Sequence, residues 1–248
     1  VQSIASNDYA FAAVKINGEV VTWGNPDFGG DSVAVNAAWP ARYMVPGCQR
    51  LGSDVVSVVG TGCDCNGGAF AALKTFGSVV TWGHQDFGGN CYSAGDALAG
   101  GVVKIIANGG AFAALKDSGM VIAWGAIEDG GDCSQMVDHL SEGVVSVIPN
   151  VCSFAAVKDR GQVITWGSPK MGGVSAEVAL GLAEDVVAVT GNAGAFAAVK
   201  QAGALITWGA ARFGGDSREV STYLETRRVA KVVGTRFVGN VGAFAALC

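Results

Sequence analysis

The sequence is poor in the residues from which active sites are usually assembled. It has two histidines, His84 and His139, and neither recurs at an equivalent position. A lone histidine in a loop or on a surface helix is more often solvated than catalytic. The nucleophile-elbow, phosphate-loop and H-E-x-x-H patterns are all missing, so nothing in the sequence points to an enzyme and no cofactor is expected. Charged residues make up only 15%, with a net charge of −5, a pI near 5.0 and no basic run, which argues against a nucleic-acid partner. No apolar run approaches the ~18 residues needed to cross a bilayer, so direct membrane insertion is not expected. Proline is scarce, at five residues, whereas glycine reaches 38, which suits short strands joined by tight turns better than long helices.

Seven cysteines are present: Cys48, Cys63, Cys65, Cys91, Cys133, Cys152 and Cys248. The odd count argues against a fully paired framework, and Cys63-Asp64-Cys65 lacks the spacing of zinc or thioredoxin sites. Small buried hydrophobes are the simpler reading, with a single disulfide as the alternative. The chain opens on Val1 without a signal-like segment. The reading is a processed or trimmed N-terminus, compatible with a secreted or organellar location, and the compartment stays open.

What is abundant is repetition. A phrase of the AFAAVK or AFAALK type recurs six times, centred on Phe11, Phe70, Phe112, Phe154, Phe196 and Phe244, with steps of 59, 42, 42, 42 and 48. Twelve residues after each of the first five stands a tryptophan: Trp23, Trp82, Trp124, Trp166 and Trp208. A Gly follows each Trp, and a Gly-Gly pair begins six residues beyond it. Each unit opens with a β-branched segment such as VVSVV at 55–59, continues through the AFAALK phrase, and ends in a segment such as GSVVTWG. Apolar alternation rich in Val, Ile, Thr and Trp favours three strands. The K-x-x-G link places Gly18, Gly77, Gly119, Gly161 and Gly203 where a hairpin turn needs a positive φ.

Beyond the Gly-Gly pair, 132–140 and 216–225 begin with Asp and a small polar residue and space their apolar residues three or four apart. This predicts a short helix with Val137 and Leu140, or Val220 and Leu224, facing inward, and with Asp132 or Asp216 as the cap. The Gly-Gly-Asp groups at 29–31, 130–132 and 214–216 lack a second carboxylate at loop spacing, so capping is preferred to calcium and no metal is expected.

Units of about 42 residues with a Trp-Gly signature cannot bury both sheet faces alone and must stack. The expected fold is all-β: a β-propeller of about six small blades, three strands plus a short helix per repeat, with the last blade incomplete. The chain is read as one repeat domain, 1–248, with units near 1–53, 54–101, 102–143, 144–185, 186–228 and a partial 229–248.

These residues resemble the regulator-of-chromosome-condensation repeat family, whose units read G-x-x-H-S-x-A-L-x-x-D-G-x-V-x-x-W-G-x-N-x-x-G-Q. The three-stranded units are also similar to those of the secreted β-lactamase-inhibiting propeller, and the wording GAFAALK…VVTWG…GGDS resembles tandem repeats of unicellular marine algae. Here Ala-Phe replaces His-Ser, Gly-Gly-Asp replaces Gly-Gln, and a helix stands in for the fourth strand. The resemblance implies a propeller; activity carries over less well than fold.

The expected function is a noncatalytic protein-protein interaction scaffold or accessory subunit of a larger assembly. The alternatives are a regulator of another enzyme, as exchange factor or inhibitor, and a lectin-like binder of small ligands. The candidate partner-binding residues fall in two groups. One is the insertion from Val33 to Arg50, which breaks the repeat and concentrates Trp39, Tyr43 and Met44. The other is an asparagine four residues before each repeat phenylalanine: Asn7, Asn66, Asn108, Asn150, Asn192 and Asn240. The asparagines read first as turn residues, and alternatively as a ring of amides offered to a ligand. Lys15, Lys74, Lys116, Lys158 and Lys200 mark the hairpin turns and should lie at the opposite end of each blade from the asparagines.

Overall fold

The structure is a computed structural model that describes residues 1–33, 51–62, 67–91, 94–235 and 241–248. The chain divides into two compact units, Val1–Cys133 and Ser134–Cys248. The first holds three antiparallel sheets. Blade 1 is β1 (Ser3–Ser6), β2 (Ala10–Val14) and β3 (Val20–Gly24); blade 2 is β4 (Val55–Gly60), β5 (Ala69–Lys74) and β6 (Val79–Gly83); blade 3 is β7 (Val102–Ala107), β8 (Ala111–Lys116) and β9 (Val121–Gly125). The second unit holds blade 4, β10 (Val144–Pro149), β11 (Ser153–Lys158) and β12 (Val163–Gly167), and blade 5, β13 (Val186–Gly191), β14 (Ala195–Lys200) and β15 (Leu205–Gly209). Its third sheet, blade 6, has two strands, β16 (Lys231–Gly234) and β17 (Phe244–Leu247). The fold is therefore all-β, built of propeller-type blades, with an incomplete last blade.

Each phrase forms the middle strand of its sheet, and its alternation decides what each face meets. In blade 2, Phe70 stands opposite Trp82 and Ala72 opposite Val80, so these four share one face. That face packs on Ala10, Ala12 and Val14 of blade 1. The other face, with Ala69, Ala71, Leu73 and Val79, takes Phe112, Ala114 and Trp124 of blade 3. The pattern returns in the second unit, where Phe196, Ala198 and Trp208 lie on Ala155, Val157 and Val163. The small alanines of one face leave room for the Phe and Trp of the next.

The first strands of blades 2 to 5 open with a Val-Val pair and a register shift, as between Val55 and Ser57. The first Val is buried and the second, in the bulge, is exposed, so the doublet is a bulge signature rather than simple alternation. Four residues ahead of each such strand stands a fully buried leucine: Leu51, Leu98, Leu140 and Leu182. The carbonyls of Leu98 and Leu182 accept from the amides of Val79 and Val163, seating the linker against the third strand.

The expected helices are shorter than the apolar spacing suggested. Residues Ser134–Met136 and Arg218–Val220 form single 3₁₀ turns, followed by Val137–Leu140 and Ser221–Glu225 in α-helix. Leu140 is buried and Leu224 packs against the core of its blade, as expected. Val137 and Val220 do not face inward; they are 59% and 50% exposed. One helical turn is too short to hold a face, and the 3₁₀ turn before it rotates these residues outward. Asp216 does not cap the helix either. Its Oδ1 accepts from Arg218 N at 3.0 Å, closing a local turn.

Candidate protein-binding faces

The Trp-Gly and Gly-Gly elements join one blade to the next. After each third strand the chain makes one 3₁₀ turn and leaves it through the first Gly of the pair, at φ +94 for Gly29, +91 for Gly88, +92 for Gly172 and +83 for Gly214. That glycine lies over the next blade's aromatic pair: a Cβ on Gly29 would sit 2.7 Å from Phe70 Cδ2. Its carbonyl accepts from the next tryptophan, Trp82 Nε1 to Gly29 at 3.1 Å, Trp124 to Gly88 at 3.2 Å and Trp208 to Gly172 at 3.1 Å. Sequence reasoning missed this bond, and it also missed the hydroxyl pairs ten residues apart. Thr22, Thr165 and Thr207 bond Ser32, Ser175 and Ser217 at 2.9–3.0 Å, which fixes the loop beyond the Gly-Gly pair to its own strand.

Blade 1 presents the same aromatic face in the open. Phe11 and Trp23 stack at 5.3 Å, as in the other complete blades, yet each is 44% exposed. Their equivalents Phe70, Phe112, Phe154 and Phe196 are 0% exposed, and Trp82, Trp124, Trp166 and Trp208 no more than 4%. The register puts Ile4 and Val21 on the same face, and both are exposed. The result is an apolar surface with a rigid stacked aromatic pair at its centre, on a sheet whose opposite face is packed into the core.

The asparagines sit at the start of the middle strands. Asn108 accepts from the amides of Gly110 and Ala111 at 3.1 and 2.8 Å and donates to the Asp129 carbonyl at 2.7 Å. Asn192 makes the same three bonds, to Gly194, Ala195 and Phe213, and Asn7 to Tyr9, Ala10 and Phe28. Asn150 bonds the Cys152 amide and the Met171 carbonyl. Each amide therefore ties the first loop to the 3₁₀ turn 21 residues later. Asn108, Asn150 and Asn192 are buried, and Asn7 is half-buried. Asn66, Asn240, Trp39, Tyr43 and Met44 lie outside the described residues.

Lys74, Lys116, Lys158 and Lys200 end the same middle strands and Lys15 directly follows β2, at the K-x-x-G turns, so within each sheet they stand a strand's length from the asparagines. Lys116 Nζ donates to the Ala97 carbonyl and Lys158 Nζ to the His139 carbonyl, both at 2.9 Å, while Lys74 pairs with Asp54 at 3.0 Å. Through these contacts the ammonium groups hold the end of the preceding linker. His84 lies between the rings of Phe28 and Phe87, and His139 enters only through its carbonyl.

A groove of about 820 Å³ runs along β15, lined among others by Leu205, Ile206, Glu177, Ser217 and Arg218. At its rim Arg218 pairs with Asp216, and this guanidinium holds the Asp216 carboxyl down at about 2. Among the described residues, no cluster of His, Cys, Asp or Glu has the arrangement of a metal site, and no helix is long and apolar enough to cross a membrane.

No family model and no curated protein matches the chain. Solved structures do. The chain is similar to Prp20p of Saccharomyces cerevisiae, studied for its binding to Gsp1p and histones, at 19% identity and a TM-score of 0.49 over 84% of this chain and 56% of that one. It is similar to the CRINKLY WD40 ectodomain of the Arabidopsis thaliana receptor kinase ACR4, at 15% identity and 0.44, covering 83% and 67%. Human WBSCR16 is similar at 16% identity and 0.43, covering 83% and 61%. The chain thus spans a little over half the length of Prp20p.

Proposed function

We propose that this protein is a noncatalytic scaffold that binds another protein through the apolar face of its first blade. One observation carries the reading: Phe11 and Trp23 are held as a stacked pair by the sheet and remain 44% exposed, while the same pair is buried in every other complete blade. Aromatic anchors that are rigid before binding lose little entropy on association and are the residue type most enriched at binding hot spots. Ile4 and Val21, both exposed, extend the apolar surface. The insertion from Val33 to Arg50, with Trp39, Tyr43 and Met44, belongs to the same proposal as a second contact region, because an irregular segment breaking a regular repeat is where recognition loops are commonly placed. The asparagines enter it as framework, since their amides already bond the loops they sit in.

The test is co-purification from the native source with the unaltered chain and with a Phe11→Ser, Trp23→Ala double variant. The expected result is one macromolecular partner, retained by the first and lost from the second, at a nearly unchanged melting temperature. A partner retained equally by both would sink the reading. Saturation by several small ligands per chain would favour a lectin instead.

A further inference from the structure

In blades 4 and 5 the outer edge of the third strand pairs with no further strand. Along β12 and β15, residues that bond the middle strand alternate with residues whose main-chain groups turn outward. Lys158 N donates to Gln162 O and Lys200 N to Ala204 O, which places Val163 and Thr165, and likewise Leu205 and Thr207, in the outward set. In blade 4 the chain covers part of this edge itself: Val163 N donates to the Leu182 carbonyl of the following linker at 2.9 Å. Blade 2 does the same with Val79 and Leu98 at 3.0 Å. Blade 5 does not. Leu224 stands as far beyond Leu205 as Leu182 beyond Val163, but its carbonyl accepts from Arg227 N at 3.2 Å. Among the described residues, the outward N–H and C=O of Leu205 and Thr207 have no main-chain partner, and the Thr207 hydroxyl is taken by Ser217. Thr207 is nevertheless only 9% exposed. Buried main-chain groups are nearly always paired, so this edge is short of a partner. The grooves differ accordingly: about 370 Å³ along β12, where Leu182 is seated, and about 820 Å³ along β15.

We infer that the groove along β15 binds an extended segment of a partner protein, which adds main chain to main chain as a fourth strand of blade 5. The segment is apolar at alternate positions and carries a lysine or arginine. Its extended form follows from the floor of the groove. Donors and acceptors spaced two residues apart along a strand are matched by another strand, not by a compact ligand. The apolar positions follow from the lining, to which Val174, Val178, Leu205 and Ile206 contribute. The cation follows from the rim. Asp216 is already engaged by Arg218, whereas Glu177, exposed on the loop that lines the groove ahead of β15, forms no ion pair among the described residues. A second copy of the chain does not fit the floor, because its own β15 edge lies at the bottom of the same groove and two such edges do not meet. The site belongs to the second unit and does not rest on the reading of the Phe11–Trp23 face.

The experiment uses the full chain and a fluorescein-labelled peptide, Lys-Val-Thr-Val-Thr-Val-Lys. Polarisation should show saturable binding at one peptide per chain. Only one edge of the peptide meets β15, so N-methylation of one alternate set of its amides should weaken binding roughly tenfold or more, and of the other set should leave it nearly unchanged. Glu177→Lys, an exposed change outside the strands, should weaken it roughly two- to fivefold. Hydrogen exchange on the unaltered chain removes any dependence on how that variant folds. Peptide should slow the amides of Leu205 and Thr207 and leave those of Ile206 and Trp208, which face β14, unchanged. Absence of saturation, equal loss from methylating either set, or protection confined to other strands would each overturn the inference. Slow exchange of Leu205 and Thr207 before peptide is added would overturn it too, because the chain would then cover the edge itself. Indifference to Glu177→Lys would remove the cation from it. Self-association that protects the same two amides would make the occupant a second copy and sink the partner assignment.

Discussion

Trp82 Nε1 donates to the carbonyl oxygen of Gly29, 3.1 Å away and 53 residues earlier in the chain. This bond connects three features of the repeat. The Gly-Gly pair lets the backbone approach the next blade, the Phe ring fills the space beneath it, and the Trp both covers the Phe and anchors the turn. An indole N–H taken out of water needs an acceptor, and here the neighbouring blade supplies it.

Gly29→Ala should therefore be costly. The residue sits at φ +94, where an L side chain is strained, and its Cβ would overlap Phe70 Cδ2 at 2.7 Å. A loss of about 2 kcal/mol or more is expected from strain and repacking together. Gly100→Ala is the control: its nearest neighbour is a carbonyl oxygen at 3.8 Å, and its φ is not in the left-handed region. Urea denaturation of the two variants should separate them clearly; equal midpoints would remove the close-approach argument.

Trp82 and Trp23 occupy the same repeat position with different surroundings, so the same substitution should give different results. Trp82→Ala empties a buried site and should cost ~3–5 kcal/mol. Trp23→Ala, on the open face of blade 1, should cost well under half of that, because water already reaches the ring. Trp82→Phe keeps an aromatic ring and removes the Nε1 bond; about 1 kcal/mol of its loss belongs to that bond. Thermal melts of the three variants side by side provide the measurement.

The strand pattern was legible because it is local. A Phe and a Trp twelve residues apart across a K-x-x-G turn must stand opposite each other in a hairpin, and they do. The two strands of the last sheet were legible for the same reason. The Trp82–Gly29 bond was not, because its two residues belong to different repeats, and no periodicity within one repeat shows which carbonyl an indole will reach. Of the linker leucines only Leu140 was singled out, through its helical spacing; Leu51, Leu98 and Leu182 were not, although their constant four-residue lead on the first strand was available. The inward placement of Val137 and Val220 failed because α-helical periodicity was applied to segments that begin as 3₁₀ turns. Of the candidate contact residues, the described asparagines were legible as turn formers, while the exposure of Phe11 and Trp23 was invisible to a reading that treated all five Phe–Trp pairs as equivalent.

The Asp216–Arg218 pair makes a prediction about pH. The guanidinium beside Asp216, helped by the Arg218 amide, lowers its carboxyl from its ordinary value of 3.8 to about 2. A depressed folded-state value means the pairing contributes fully above pH ~4, the ordinary range of the unfolded chain, and fades as the pH falls towards 2. Both groups are at the surface, so the effect on global stability should be small and screened by salt. A carbon-detected NMR titration of the Asp216 carboxyl should find its midpoint near 2, and Arg218→Ala should return it towards 3.8. A midpoint unmoved by that substitution would assign the shift elsewhere.

Asn7 and Asn108 make the same three hydrogen bonds, which separates a framework role from a contact role. Asn108 is 8% exposed and bonds the amides of Gly110 and Ala111 and the carbonyl of Asp129. Removing its side chain leaves those groups unpaired where water has little access, so Asn108→Ala should cost about 2–3 kcal/mol. Asn108→Asp keeps the acceptor for the two amides, loses the donor to Asp129, and sets a carboxylate against a carbonyl oxygen; it should not restore stability. Asn7 is only half-buried, and water can replace its side chain, so Asn7→Ala should cost clearly less than Asn108→Ala. If the asparagines were ligand contacts rather than framework, the ranking would have no reason to follow burial. Isothermal denaturation of Asn7→Ala, Asn108→Ala and Asn108→Asp decides it: equal stabilities for the first two would reopen the ligand reading, while the expected order leaves the exposed aromatic face as the better place to look for a partner.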